Sequence, residues 1–434
     1  MTVNSQPLED TGLREPRILV VAEHASARFG GEAALPLHYF RVLRQRRVPV
    51  WLLSHARTRG ELTAVFGSAQ EIHYIEDTWF HKLMWRIGTW MPARVSYLTV
   101  EFASRLTVQV AQRRMIRRLV ARHAINLIHQ PMPVSPREPS MMFGFGVPVV
   151  IGPMNGGLDY PPAFRKARGG LEQFLMSVGR ANARWLNRLM PGKQRAAALI
   201  VANELTFRAL PKGICGNVFR LVENGVDMQV WRGGSSPTVI CTDSTPTFIF
   251  MGRLVDWKSV DLLLYAFAAA RAKNPMRLWI VGDGLERTSL QTLADQLDIR
   301  SDDSQSVGSV SFAGWLSQAD CAQLVRRAHC LVLPSVLECG GAVVLEAMAM
   351  GKPVIATAWG GPLDYLDKTC GILVPPDSRE ELISGIAAAM VTLAADAGLR
   401  EEMGRCGASK VARDFDWERK VDRMLEIYSS VLAR

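Results

Sequence analysis

Short apolar runs recur along the chain, each followed by a longer segment whose apolar positions return every three or four residues. The first run is RILVVA at 17–22. A polar loop containing Gly30 and Gly31 follows it, and Glu32 to Arg47 then has helical apolar spacing. PVWLLS (49–54), AINLIHQP (124–131), VPVVIGP (147–153) and ALIVANE (198–204) repeat the theme. A run that is apolar throughout, rather than alternating, predicts a strand covered on both faces. Such strands, separated by helical segments, predict a parallel sheet built of βα units.

The rhythm restarts after the polar stretch GGSSPTVICTDSTP (233–246). TFIFMGR (247–253) is a strand and Ser259 to Ala272 a helix. MRLWIVGDG (276–284), VSFAGW (310–315), CLVLPS (330–335), PVIATA (353–358) and GILVPP (371–376) are further strands. The chain therefore reads as α/β, with two doubly wound, Rossmann-like domains at residues 1–230 and 231–413. Their ligands are expected at the C-terminal ends of the strands. The last helix, Trp417 to Leu432 within 414–434, is expected to cross back to the first domain.

Composition narrows the class. With 434 residues, 48% of them hydrophobic and 21% charged, two ordinary cores can be filled. The N-terminal MTVNSQPLEDTGLREP is polar and carries acids, unlike a signal peptide, and no uncharged apolar run of membrane-spanning length is read. The seven cysteines are scattered and form no CxxC, which fits a reducing compartment and argues against a disulfide framework or a zinc site. A cytoplasmic location is expected.

Charge separates the two halves. Residues 1–230 hold 30 Lys/Arg against 16 Asp/Glu, whereas residues 231–434 hold 21 against 25. The excess concentrates in 79–123 and 163–195, segments also rich in Trp, Phe, Met and Leu. Different surfaces imply different partners. The text WFHKLMWRIGTWMPARVSYL (79–98) suits the headgroup region of an anionic bilayer, where apolar faces insert and cations meet phosphates. A nucleic-acid partner, which the calculated isoelectric point near 9.4 would allow, is disfavoured because the basic residues are interleaved with long apolar side chains and no nucleic-acid motif occurs.

The densest chemistry lies in LVLPSVLECGGAVVLEAMAMGKP, Leu331 to Pro353. An apolar run ends at Pro334-Ser335, Glu338 follows on a loop, and Gly340 and Gly341 lead into a helical segment carrying Glu346. Bare backbone N–H groups at a helix N-terminus favour an anion. A second acid about two turns into the helix would lie ~8–9 Å from its start; the two acids, one on the preceding loop, then read as too far apart for a hydrolytic pair and as suited to one elongated ligand. Earlier in the same half, Arg253 and Lys258 occupy a loop after a strand, where two cations can neutralise a diphosphate leaving group.

With these residues in view, the chain resembles glycosyltransferase family 4, retaining enzymes of the GT-B fold, in which two Rossmann-like domains face each other across a cleft. The resemblance rests on MGRLVDWKSVDLLLYAF (251–267), VGDG (281–284), FAGW (312–315), PSVLECGGAVVLEAMAMGKPVIAT (334–357), WGGPLDYL (359–366) and GILVPP (371–376), and more loosely on FGGEA (29–33) and VENGVD (222–227). The separation of Glu338 and Glu346 is the family's E-x7-E. Two departures occur: Cys339 where Phe is usual, and Ser259 after Lys258 where Gly is frequent.

The resemblance implies roles. Arg253 and Lys258 would hold the donor diphosphate, Glu338 the donor sugar and Glu346 the ribose hydroxyls. Gly30, Gly31, Gly282, Gly314, Gly340 and Gly341 would bring backbone close to the donor. His129, at the end of the strand AINLIH, is the candidate for contact with the transferred sugar, with His24 and His55 as alternatives. Asn155 and Gly156 are candidates for acceptor or donor contact. No metal and no cofactor are expected, since the donor is a UDP-, GDP- or other nucleoside-diphosphate sugar. The acceptor is expected to be lipid-linked or a saccharide, with peripheral contact at the inner face of the cell membrane. A soluble-acceptor sugar-phosphate synthase of the same fold is the alternative.

Overall fold

The computed structural model describes residues 15–27, 31–77, 102–165, 186–231 and 245–434. Two units result: Met1–Asn155 with Val178–Glu223 and Val421–Arg434, and Gly156–Ser177 with Asn224–Lys420. Each is built on one parallel sheet flanked by helices, so both are Rossmann-like α/β units.

In unit 1 the strands are β1 (Ile18–Val21), β2 (Val50–His55), β3 (Ile72–Ile75), β4 (Leu127–Gln130), β5 (Val149–Met154), β6 (Ala198–Val201) and β7 (Val218–Arg220). Their order is β3-β2-β1-β4-β5-β6-β7, all pairs parallel. The helices α1 (Gly31–Gln45), α2 (Arg59–Phe66), α3 (Phe102–His123) and the short α4 (Glu204–Arg208) connect them. The central strands are buried at every position, as their unbroken apolar runs demand. Both edge strands, IHYI and VFR, escape a reading based on apolar runs because they are half-covered, mixed in polarity and short.

A buried polar link ties the end of the chain into this core. His129 of β4 is fully buried, and its Nε2 lies 2.7 Å from the Gly152 carbonyl. A carbonyl only accepts, so Nε2 carries the proton and Nδ1 is left as an acceptor. The Tyr428 hydroxyl therefore donates to Nδ1, at 2.8 Å. Tyr428 belongs to the last helix, of which Val421–Arg434 cluster with unit 1. Tyr39 of α1 packs edge-on against the imidazole, with ring centres 4.9 Å apart.

In unit 2 the strands are β8 (Thr247–Met251), β9 (Arg277–Val281), β10 (Val310–Gly314), β11 (Cys330–Leu333), β12 (Val354–Thr357) and β13 (Gly371–Val374), in the order β10-β9-β8-β11-β12-β13. The connecting helices are α5 (Val260–Arg271), α6 (Arg287–Gln296), α7 (Gln318–Arg327), α8 (Ala342–Ala349), α9 (Arg379–Ala395) and α10 (Ala397–Asp414), and α11 (Trp417–Leu432) ends the chain. Glycine sets how tightly the strand ends of β8 and β9 approach. Gly282 has φ 137°, and a Cβ there would sit 1.8 Å from the Gly252 carbonyl oxygen. No side chain fits that gap.

Burial lowers the His129 pKa from its ordinary 6.5 to about 4. Between those values the unfolded chain binds a proton that the folded chain refuses. The stability contribution is complete above about pH 6.5 and is lost as pH falls toward about 4. Tyr428→Phe, which strips the donor from buried Nδ1, is expected to cost about 1–3 kcal/mol. Urea midpoints of both chains above and below that window would measure it, and equal midpoints for variant and wild type would show that the hydroxyl contributes nothing.

Candidate functional site

In a doubly wound sheet, ligands bind where the strand order reverses, beyond the C-terminal ends of the two strands at that point. In unit 2 those strands are β8 and β11. Their trailing loops are joined by the Val336 N–H donating to the Trp257 carbonyl at 3.0 Å. Between them the Lys258 ammonium donates to the Glu338 carboxylate, side chains only 14% and 13% exposed. This ion pair unites residues 80 positions apart, both of which the sequence singled out.

The β8 loop is shaped by its neighbours. Leu254 N–H donates to the Asp283 carbonyl at 2.9 Å, and Asp256–Lys258 form one short helical turn. Ser259 then adopts a left-handed conformation, φ 50° and ψ 40°, before α5 begins. A residue with a Cβ bears a cost of about 1–2 kcal/mol there, which accounts for glycine being the frequent residue at this position in the family it resembles. Arg253 is exposed, and its guanidinium makes no hydrogen bond or ion pair among the described residues.

The β11 loop turns on Glu338. Its carbonyl accepts from the Gly361 N–H at 2.7 Å. Gly341 has φ 85°, and a Cβ on it would come within 3.1 Å of the Glu338 Cγ. α8 starts only after this residue and has no side-chain cap, so its first-turn N–H groups are unclaimed by a side chain. Because Gly340 and Gly341 stay outside the helix, Glu346 lies one turn into α8 rather than the two turns inferred from spacing. The residue is partly exposed, yet burial of its carboxyl raises its pKa to about 7. That carboxyl has no hydrogen-bond partner among the described residues.

Gly282 and Gly314 act through spacing. Gly282 N–H donates to the Gly314 carbonyl at 2.8 Å, drawing the ends of β9 and β10 together. Just beyond them stand Leu285, 94% exposed, and Trp315, 70% exposed. The sequence reading assigned no role to either side chain. Trp359, quoted within WGGPLDYL but given no role, donates its indole N–H to the Asp159 carbonyl at 2.8 Å. That bond places the segment after Gly156 beside the glycines that support Glu338, and Leu158 lies against Gly360.

Several expectations for the first half need correction. His129 is not open to a ligand: it is fully buried with both ring nitrogens engaged. Asn155 is likewise interior, 6% exposed, its side-chain oxygen accepting from Thr206 at 3.3 Å. His55 is 2% exposed, with Nδ1 accepting from the Arg57 N–H at 3.3 Å. Of the three histidines considered, His24 alone keeps appreciable exposure, and burial followed by Arg57 lowers its pKa. It sits on the loop after β1, which is pinned by Glu61 of α2 through the Ala27 N–H (2.8 Å) and the Ser26 hydroxyl. Gly31 opens α1, whereas Gly30 and the stretch 79–98 lie outside the described residues.

Comparison with known proteins bears on this arrangement. Residues 245–396, which include Arg253, Lys258, Glu338 and Glu346, match the family model described as Glycosyl transferases group 1. A D-inositol 3-phosphate glycosyltransferase of Saccharomonospora viridis is 33% identical over 229 residues, covering 49% of this chain and 50% of the relative. The lipopolysaccharide core biosynthesis glycosyltransferase LpsE of Rhizobium meliloti is 32% identical over 186 residues, covering 43% and 50%. The chain thus spans half the length of these relatives. A crystal structure of Anabaena HepE in complex with UDP superposes with a TM-score of 0.62 at 16% identity, covering 95% of this chain and 100% of that one. The two Rossmann-like sheets share the GT-B fold of that structure, and the likeness in sequence to glycosyl transferases group 1 lies in residues 245–396.

Proposed function

We propose that this chain is a retaining, metal-independent glycosyltransferase that moves a sugar from a nucleoside-diphosphate sugar to a lipid-linked or saccharide acceptor. The observation that carries the reading is the meeting of Lys258 and Glu338 at the β8/β11 switch point. A cation and a carboxylate there suit the two halves of a sugar diphosphate. Arg253 and Lys258 neutralise the leaving diphosphate as the bond from the anomeric carbon to its oxygen breaks. The uncapped N-terminus of α8 adds backbone N–H groups for the same charge. Glu338 accepts from sugar hydroxyls and stabilises positive charge at the anomeric carbon. The acceptor oxygen bonds to that carbon on the face the diphosphate leaves, and its proton passes to the departing diphosphate oxygen, so no separate protein base is required.

Glu346 suits the ribose. A half-covered carboxylate that lacks a hydrogen-bond donor is stabilised when a ligand supplies one. Vicinal hydroxyls donate to its two oxygens. The UDP bound to HepE makes UDP-sugars the first donors to test. The LpsE name favours an envelope polysaccharide or lipid-linked acceptor, and with it a cytoplasmic enzyme at the inner face of the membrane. A second reading, transfer to a small soluble sugar phosphate, is favoured by the inositol-phosphate relative.

The test is nucleoside-diphosphate release from UDP-, GDP-, ADP- and dTDP-sugars, with EDTA, offering inositol 3-phosphate or a membrane lipid extract as acceptor. One donor consumed by the wild type and spared by Glu338→Ala is the expected result. No release from any donor with either acceptor would overturn the reading.

Lys258→Ala is expected to lower kcat/KM by about 10²–10³, the usual effect of removing one stabiliser of developing charge. An unchanged kcat/KM would remove Lys258 from the phosphate role. For Glu346 the expectation concerns pH. Hydroxyl donors bind the ionised carboxylate, and burial raises the pKa of this carboxyl to about 7. Donor affinity is therefore highest above pH 7 and weakens as pH falls through it, by up to about tenfold per unit. Glu346→Gln should raise donor KM and flatten that dependence. A variant whose KM retains the wild-type pH profile would show that another group titrates.

A further inference from the structure

Helix α3 carries six arginines and no acidic residue along Phe102–His123. Its interior face is Val108, Gln109, Gln112, Ile116 and Leu119, all buried against unit 1. With 100° per residue, Val110, Arg114, Arg117, Arg118, Ala121 and Arg122 fall on the opposite side, and each of these is exposed. Arg113 stands at the flank and is used internally: it donates to the Phe143 carbonyl at 2.8 Å and lies over the Phe143 and Phe145 rings. The guanidinium groups of the four outward arginines make no hydrogen bond or ion pair among the described residues.

Like charges three and four positions apart on a helix repel. The helix dipole accounts for a cation in the last turn, where Arg122 sits. It does not account for Arg114, Arg117 and Arg118, which lie further in. We infer that this face of α3 is a docking surface for an anionic lipid bilayer, the guanidinium groups pairing with lipid phosphates while Val110 and Ala121 rest against the interface. Guanidinium forks match phosphate oxygens two at a time. Apolar residues among the cations suit a headgroup layer better than a nucleic-acid groove. The proposal gives the membrane contact suggested above a specific location.

The experiment is co-sedimentation of the full chain with phosphatidylcholine vesicles, with and without phosphatidylglycerol, at low and high salt. The wild type should bind only the anionic vesicles, and salt should release it. Arg114→Gln/Arg117→Gln/Arg118→Gln should weaken that partition by roughly a hundredfold, at about one cation's attraction per residue removed. The corresponding triple Lys variant should keep most of it. Circular dichroism and lipid-free nucleoside-diphosphate release should match wild type in both. If the Gln variant does not fold, Arg114→Gln/Arg118→Gln carries the same test with a smaller loss. The inference is overturned if the Gln variant partitions like wild type, if wild type binds neutral and anionic vesicles equally or neither, or if duplex DNA or RNA competes the chain off the vesicles at equal phosphate. Binding needs no turnover, so failure here leaves the transfer reading standing, and failure of the transfer assay leaves this one standing.

Discussion

The ion pair of Lys258 and Glu338 is the contact around which unit 2 is arranged. It sits where β8 and β11 run side by side, with each side chain mostly covered. Taking one partner away would leave the other charge poorly solvated, which is why such pairs cost more to break than they contribute when intact. The surrounding backbone holds the two loops at the spacing the pair needs. Trp257 accepts from Val336, Gly361 donates to the Glu338 carbonyl, and Gly282 lets β9 close on Gly252. The glycines that the sequence offered as ligand contacts thus have a structural duty that can be stated without a ligand.

Much of the fold was legible because parallel strands buried on both faces are apolar at every position. β8, β11 and β12 announce themselves in this way. What escaped was β3 and β7, the two edges of the seven-stranded sheet, where one side is open and the pattern mixes. The site divides along similar lines. Glu338 and Glu346 lie on one short segment and Arg253 and Lys258 on another, so spacing along the chain groups each pair. His129 could not be read correctly from spacing. Whether a histidine at a strand end meets a ligand or the core depends on what covers it, and here the cover is Tyr428, 299 positions away. Asn155 fails for the same reason, through Thr206.

The departures from the family pattern have unequal physical weight. Ser259 keeps the left-handed turn that glycine would adopt freely, so the Lys258 loop retains its course at a local cost. Cys339 replaces a large ring by a small side chain next to Glu338. It leaves the backbone bond from Gly361 to Glu338 in place, so the substitution changes what lines the loop rather than where the loop runs.

The two acids are compensated by different means. Glu338 is held by a cation, whereas Glu346 has no described partner and takes up a proton near neutral pH. A ligand that engages both must therefore compete for Lys258 and release a proton from Glu346. Under the proposed function, a sugar diphosphate with a ribose would do both at once: its phosphates would offer Lys258 a stronger anion, and its hydroxyls would give Glu346 the donors it lacks. A fragment carrying only one of these features meets one compensation and leaves the other in place. The two acids lie on one continuous segment, from the end of β11 into α8, so the arrangement favours ligands that satisfy them together over those that satisfy either alone.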